Sequence, residues 1–130
     1  MIQKKVLIVD DENFIRLLLR RTLEDFEFEG VQIVLAENGE EGITLARQEK
    51  PDLVFLDLMM PGINGLEVCR LIRQEPELSD TYVVLLTAKG NVKSVNGEQG
   101  PDCSLTKPFD PDQIIALTSE VLGIDVDGGY

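Results

Sequence analysis

The sequence predicts an α/β fold, a doubly wound sheet of five parallel strands with helices on both faces. Short apolar runs alternate with longer amphipathic segments along the chain, which is the pattern of strand–helix–strand units joined by right-handed crossovers. Three of the runs are continuous and rich in β-branched residues, as expected for strands buried on both faces of a parallel sheet. With 130 residues and no internal repeat or linker, the chain is expected to form one domain over residues 1–124, followed by a polar tail at 125–130.

The apolar runs predict the five strands. Continuous runs at residues 6–9, 53–56 and 83–86 indicate strands that are buried in the middle of the sheet. The run at 31–36 alternates between apolar and polar residues, which is typical of a strand at an edge. A weaker apolar run at 103–105 predicts the fifth strand.

The amphipathic segments after the first three strands predict helices. A second helix is expected over residues 39–49, ending before Pro51, and a third over 65–74, with Cys69 on its apolar stripe. The first helix is expected over 14–28. Its apolar residues fall in two rows at i, i+4 spacing, namely Phe14 and Leu18, and Ile15, Leu19 and Leu23.

The last two crossovers differ in how strongly they predict a helix. The final helix is expected to have Asp110 as its N-cap, Pro111 at its first position and Gly123 at its end. The segment at 90–102 contains several Asn, Gly and Pro residues. Any helix in this fourth crossover is therefore expected to be short or irregular.

The composition works against several classes of function. Twenty-four Asp and Glu residues against twelve Lys and Arg give a formal net charge of −12, which disfavours direct binding of nucleic acid and of anionic membranes. The chain contains no His, so imidazole bases and ligands are excluded. Its two cysteines, Cys69 and Cys103, make no metal or disulfide framework. Both are expected to pack as reduced thiols of a cytoplasmic protein.

Polar residues follow the strands at one edge of the predicted sheet. Ligands of an open parallel sheet bind beyond the C-terminal ends of its strands, near the point where the strand order reverses. For the order 2-1-3-4-5 this point lies between the first and third strands. The residues at these strand ends are Asp10, Asp11 and Glu12 after the first, Asp57 after the third, Thr87 at the end of the fourth, and Lys107 after the fifth.

The chemistry of this set favours phosphoryl transfer. Three carboxylates in one crevice repel each other unless a cation lies between them, and an all-oxygen set with open positions suits Mg²⁺. An ammonium from Lys107 and a hydroxyl from Thr87 would hold a phosphoryl group beside a carboxylate nucleophile, giving an aspartyl phosphate. Taken singly, Asp10 and Asp11 equally suit capping of the first helix. Glu12 is expected as an acid of that helix's first turn.

Four segments together resemble the receiver domains of response regulators. They read VDDE at 9–12, LDLMMPGING at 56–65, LTAK at 86–89 and LTKPF at 105–109. The match extends over roughly residues 4–123, in the family's order and near its spacing. It implies a CheY-like, flavodoxin-like fold with strand order 2-1-3-4-5 in a single-domain receiver.

The resemblance also implies a function, that of a phosphoacceptor signalling domain. Such a domain uses Mg²⁺, or Mn²⁺, to take a phosphoryl group from the phosphohistidine of a sensor histidine kinase or His-phosphotransfer protein. It assists its own phosphorylation and dephosphorylation, and its state changes the binding of a downstream protein, here unknown. By position, the phosphoacceptor is Asp57, the metal ligands are Asp10, Asp11, Asp57 and the Met59 backbone carbonyl, the phosphate-binding side chains are Thr87 and Lys107, and the Lys107–Pro108 peptide is cis.

Two features depart from the family pattern. Three residues before Lys107 the family commonly has a Tyr or Phe that moves with the hydroxyl of the phosphate site, whereas this chain has Ser104. The stretch from Thr87 to Lys107 is also about two residues shorter than usual. We therefore expect intact phosphorylation chemistry with an altered output face.

Three other functions remain to be weighed. An aspartate-nucleophile phosphatase of the haloacid-dehalogenase type would carry Asp-x-Asp after its first strand, whereas Asp57 follows the third strand and Met59 occupies the second acidic position. A flavodoxin-type electron carrier would need a loop that binds the FMN phosphate, which the acids at 10–12 would repel. A receiver that serves only as a binding surface remains open because of Ser104.

Overall fold

The computed structural model describes residues 3–88 and 100–126. Within these ranges five strands form one parallel sheet in the order β2-β1-β3-β4-β5. The strands are β1 (Lys5–Val9), β2 (Gln32–Ala36), β3 (Leu53–Asp57), β4 (Tyr82–Thr87) and β5 (Cys103–Thr106). The predicted fold class and strand order are confirmed.

Helices cover both faces of this sheet. In the described ranges they are α1 (Asn13–Thr22), α2 (Glu24–Phe28), α3 (Gly39–Glu49), α4 (Gly65–Gln74) and α5 (Pro111–Leu122), with a 3₁₀ turn at Pro76–Leu78. Side chains alternate across the strands, so that Leu7 and Val9 contact the α3–α4 layer while Val6 and Ile8 contact the layer of α1, α2 and α5. One hydrophobic core therefore lies on each face of the sheet, and together the two cores fix the position of its C-terminal edge.

The strands differ in burial as the sequence predicts. Every residue of β3 is buried, and β4 is buried after its first residue. β2 is mostly half-exposed because it is hydrogen-bonded to β1 alone. The prediction of an edge strand at the second position is confirmed.

The prediction of one continuous helix over residues 14–28 is wrong. The helix is interrupted at Leu23, where the backbone leaves helical geometry and separates α1 from α2. Leu23 and Phe26 are fully buried, so the chain bends to pack both against the sheet. Of the two predicted apolar rows, the one containing Leu19 and Leu23 faces the core, while Phe14 remains 71% exposed.

The boundaries of the last helix follow the predicted capping pattern. The carboxylate of Asp110 accepts a hydrogen bond from the Asp112 backbone N–H at 2.9 Å, and Gly123 ends α5 in the left-handed region at φ 70°. The predicted irregular crossover at 90–102 falls mostly on residues outside the described ranges. Val126, within the predicted tail, packs against the core, and residues 127–130 are not described.

Both cysteines pack against the sheet, as expected. Cys69 on α4 is fully buried, and burial raises the pKa of its thiol to about 11. Cys103 on β5 is partly buried, and burial likewise raises the pKa of its thiol.

Among the described helices, none has the length and apolar character that a membrane span requires.

Candidate phosphoacceptor site

Three acidic residues meet at the C-terminal edge of the two central strands. Asp10 follows β1 directly, Asp57 is the last residue of β3, and the two strands are hydrogen-bonded neighbours. Asp10 is completely buried, Asp57 is 5% exposed, and Asp11 lies on the surface. One carboxylate oxygen from each of the three residues lies within 4.8 Å of the others. The predicted cluster is therefore assembled, and its all-oxygen donor set fits a hard divalent cation such as Mg²⁺.

The positive charge of Lys107 lies beside two of these carboxylates. Its Nζ donates to Asp10 Oδ2 at 2.9 Å and to Asp57 Oδ1 at 3.2 Å. It also lies 3.6 Å from Glu12 Oε1. The Lys107 backbone N–H donates to the Thr87 carbonyl at 2.7 Å, which extends the β4–β5 pairing to the lysine. The Lys107–Pro108 peptide is cis, the isomer that the resemblance implies.

The acidic side chains of the site outnumber its one ammonium, and this imbalance shifts the pKa values of Asp57 and Lys107. Burial, reinforced by the negative charge of Asp10, raises the pKa of Asp57 to about 6, although Lys107 acts in the opposite direction. Burial lowers the pKa of Lys107, but its hydrogen bonds and charge interactions with Asp10 and Asp57 outweigh burial and raise that pKa overall. Asp57 therefore remains mostly ionised at neutral pH, beside a fully charged ammonium.

Glu12 lies at the N-cap of α1, so the prediction of a first-turn acid is wrong by one position. Its side chain makes no capping hydrogen bond, and its carboxylate instead faces Lys107. The Glu12 backbone N–H donates to Asp10 Oδ1 at 2.9 Å. One carboxylate oxygen of Asp10 therefore supports the start of the helix while the other binds Lys107. Support of the first helix and membership of the acidic cluster are compatible for this residue.

The remaining predicted residues surround this cluster. Thr87 is 3% exposed at the end of β4, one residue beyond Leu86, which pairs with Asp57 across the sheet. Met59 follows β3 in the adjacent loop, with its side chain 70% exposed. Ser104 is exposed on β5, opposite Leu85, so a small hydroxyl occupies the position at which the resemblance implies an aromatic ring.

Sequence reasoning missed two residues that support the cluster. The sequence pattern places Arg16 only within an amphipathic helix, whereas in the structure it is buried and donates to the Asp10 carbonyl at 2.7 Å. The sequence pattern predicts Gly65 only as the start of a helix, whereas in the structure it packs against the backbone that carries Asp57. The one sequence feature that could have indicated the role of Arg16 is that it directly follows Ile15, a member of the apolar row that faces the core.

Gly65 must lack a side chain for Asp57 to hold its position. Its N–H donates to the Leu58 carbonyl at 2.8 Å, and an added Cβ would overlap the Asp57 carbonyl oxygen and lie 2.9 Å from Leu58 Cα. We expect Gly65→Ala to lower the free energy of unfolding by about 1–3 kcal/mol, because backbone rather than a flexible side chain must move. Urea unfolding measures this loss. A change below about 0.5 kcal/mol would contradict the tight packing.

Known proteins resemble the chain in sequence and in structure. The family described as "Response regulator receiver domain" matches residues 6–119. The chain is 43% identical over 122 residues to the transcriptional regulatory protein ResD of Bacillus subtilis, covering 92% of this chain and 48% of ResD. It is 38% identical over 120 residues to Protein PilH of Pseudomonas aeruginosa, covering 91% of this chain and 97% of PilH. The solved structure of chemotaxis protein CheY4 of Vibrio cholerae matches with a TM-score of 0.81 at 28% identity, covering 93% of this chain and 100% of that chain.

These matches agree with the fold and with the strand-end cluster. The chain spans about half the length of ResD and of several other curated relatives that it matches, and nearly the whole of PilH. The family match covers most of the chain, including β3, β4, β5 and all but the first residue of β1, the strands that carry the cluster. The chain belongs to the response regulator receiver domains of two-component signal transduction.

Proposed function

We propose that this receiver accepts a phosphoryl group on Asp57, in a Mg²⁺-dependent reaction, from the phosphohistidine of a sensor histidine kinase or His-phosphotransfer protein. The observation that carries the proposal is the convergence of three carboxylates and one ammonium at a single sheet edge, with Asp57 bound to Lys107. Phosphorylation would change the binding of a downstream protein. The proposed compartment is the cytoplasm, in keeping with two unpaired thiols that pack inside the fold.

The proposed transfer is a single displacement at phosphorus. A carboxylate oxygen of Asp57 attacks, the phosphorus–nitrogen bond of the donor breaks, and the imidazole leaves with the electron pair. The product is an acyl phosphate on Asp57. Because the pKa of Asp57 is about 6, the carboxylate is already ionised at neutral pH and needs no general base.

The other residues would hold the reacting group in line. Asp10, Asp11 and Asp57, with the Met59 backbone carbonyl, would bind Mg²⁺ or Mn²⁺, which when bound neutralises charge on the phosphoryl oxygens. Lys107 would transfer a hydrogen bond from Asp57 to a phosphoryl oxygen, since its ammonium already lies between Asp10 and Asp57. The Thr87 hydroxyl would donate to another phosphoryl oxygen.

Intact mass spectrometry tests the proposed function directly. The chain is incubated with a small acyl-phosphate donor and Mg²⁺, and we expect the gain of one phosphoryl group. The gain should disappear with a chelator and in Asp57→Asn, and should persist in Asp80→Asn, which removes an exposed acid at the opposite edge of the sheet. A folded chain that binds Mg²⁺ but gains no mass would contradict the proposal and favour a receiver that serves only as a binding surface.

A further inference from the structure

Arg16 is a buried charge without an ion-pair partner among residues 3–88 and 100–126. It lies on α1 and is only 9% exposed. No carboxylate of the described residues lies within 4 Å of its guanidinium nitrogens. A buried guanidinium is costly unless its donors are used. Its position beside the acidic cluster therefore calls for a specific function.

The guanidinium binds the turn that carries the acids. Nη1 donates to the Asp10 backbone carbonyl at 2.7 Å, a buried hydrogen bond. Nη2 donates to Asn13 Oδ1 at 3.1 Å, and the Arg16 backbone N–H donates to the Glu12 carbonyl at 3.1 Å. One side chain thus ties together both ends of the turn from residue 10 to residue 13, using the forked donors that distinguish Arg from Lys.

Asp10 has every polar group engaged in this arrangement. Its N–H donates to the Ala36 carbonyl at 3.2 Å, Oδ1 accepts from the Glu12 N–H, and Oδ2 accepts from Lys107. Its carbonyl is bonded to Arg16. Because Asp10 is fully buried, loss of Arg16 would leave that carbonyl without a strong donor, and the turn would shift to find one.

We propose that Arg16 is a positioning residue, which fixes the turn of residues 10–13 so that Asp10 and Asp11 face Asp57. This inference rests on the proposed function where it concerns Mg²⁺, because groups that orient metal ligands commonly change metal affinity by about 10–100-fold. The geometric part, order in the turn, does not depend on any metal. A purely electrostatic role predicts the opposite sign, since removing a positive charge would tighten cation binding.

Two measurements on Arg16→Met test the proposal. In chelator, amide hydrogen exchange of Glu12 followed by NMR should become about tenfold faster, because that N–H bonds to Asp10 within the turn. In calorimetry, the Kd for Mg²⁺ should rise about tenfold. Arg16→Lys should fall between wild type and Arg16→Met, because lysine keeps the charge but lacks the planar fork whose two nitrogens reach Asp10 and Asn13. Arg20→Met, at an exposed arginine one turn further along the same helix, should match wild type in both measurements.

The outcomes separate this proposal from the proposed function. Unchanged Glu12 exchange in folded Arg16→Met, with equal or tighter Mg²⁺ binding, overturns the positioning role. If Arg16→Met fails to fold, Arg16→Lys, which keeps the charge without the forked donors, is compared with wild type instead, and unchanged Glu12 exchange there overturns the role as well. If wild type binds no Mg²⁺ or takes no phosphoryl group, the proposed function fails while the exchange comparison still decides the function of Arg16.

Discussion

Asp57→Asn is expected to stabilise the metal-free protein by about 3 kcal/mol at pH 7.5, although it removes the proposed phosphoacceptor. Burial and the charge of Asp10 raise the pKa of Asp57 from 3.8 to about 6. The folded state therefore binds this proton more tightly than the unfolded chain, and stability falls as the pH rises from about 4 to about 6. Each pKa unit corresponds to about 1.4 kcal/mol, and Asn avoids the penalty because it cannot ionise.

Urea unfolding in chelator at two pH values measures this effect. The advantage of Asp57→Asn should shrink to about half at pH 5, where Asp57 of the folded wild type is mostly protonated. Asp80→Asn should change stability little at either pH, because Asp80 is exposed at the far edge of the sheet. A variant that is less stable than wild type at pH 7.5 would mean that the bond to Lys107 outweighs burial.

The cost of burying the ionised Asp57 carboxylate makes the proposed function and the stability of the metal-free protein oppose each other at this site. A buried carboxylate next to Asp10 is costly for the folded chain alone, and it is the feature that would attract a divalent cation. Cation binding to the folded state would therefore return stability by mass action. Wild type should gain more stability from added Mg²⁺ than Asp57→Asn does, which the same unfolding experiments reveal.

The sheet and its cluster could be predicted because both depend on local pattern. Continuous apolar runs indicate buried parallel strands, and the residue after each strand must lie at the same edge as the others. Asp10, Asp57, Thr87 and Lys107 are therefore brought to one edge by topology alone, as the structure shows. This inference needs no knowledge of side-chain conformation.

Other features could not be predicted because tertiary packing decides them. The break at Leu23 has no Gly or Pro to announce it, and it follows from burying Leu23 and Phe26 together. The partner of Arg16 is a backbone carbonyl, which every residue has and no pattern marks. The exposure of Phe14 follows from the rotation of α1 about its axis, which only the packed structure establishes.

Lys107→Met is expected to have the largest destabilising effect of any substitution in the site. Its ammonium is the partner of Asp10, which is fully buried, and of Asp57, which is nearly so. Without it two buried carboxylates remain side by side, and breaking a buried ion pair from one side costs about 3–5 kcal/mol. The raised pKa of Lys107 means that its contribution is fully present at neutral pH and is lost only at strongly alkaline pH.

A double-mutant cycle separates charge from packing in this effect. In the Asp57→Asn background Lys107→Met should cost about 1–2 kcal/mol less than in wild type, because one of the two carboxylates is gone. Lowering the pH to 5 should also reduce the loss, since the raised pKa of Asp57 rises further once the ammonium is absent. Lys4→Met, at an exposed position before β1, serves as the control and should be near neutral. Equal losses in both backgrounds would mean that the aliphatic stem of Lys107, rather than its charge, holds the strand ends together.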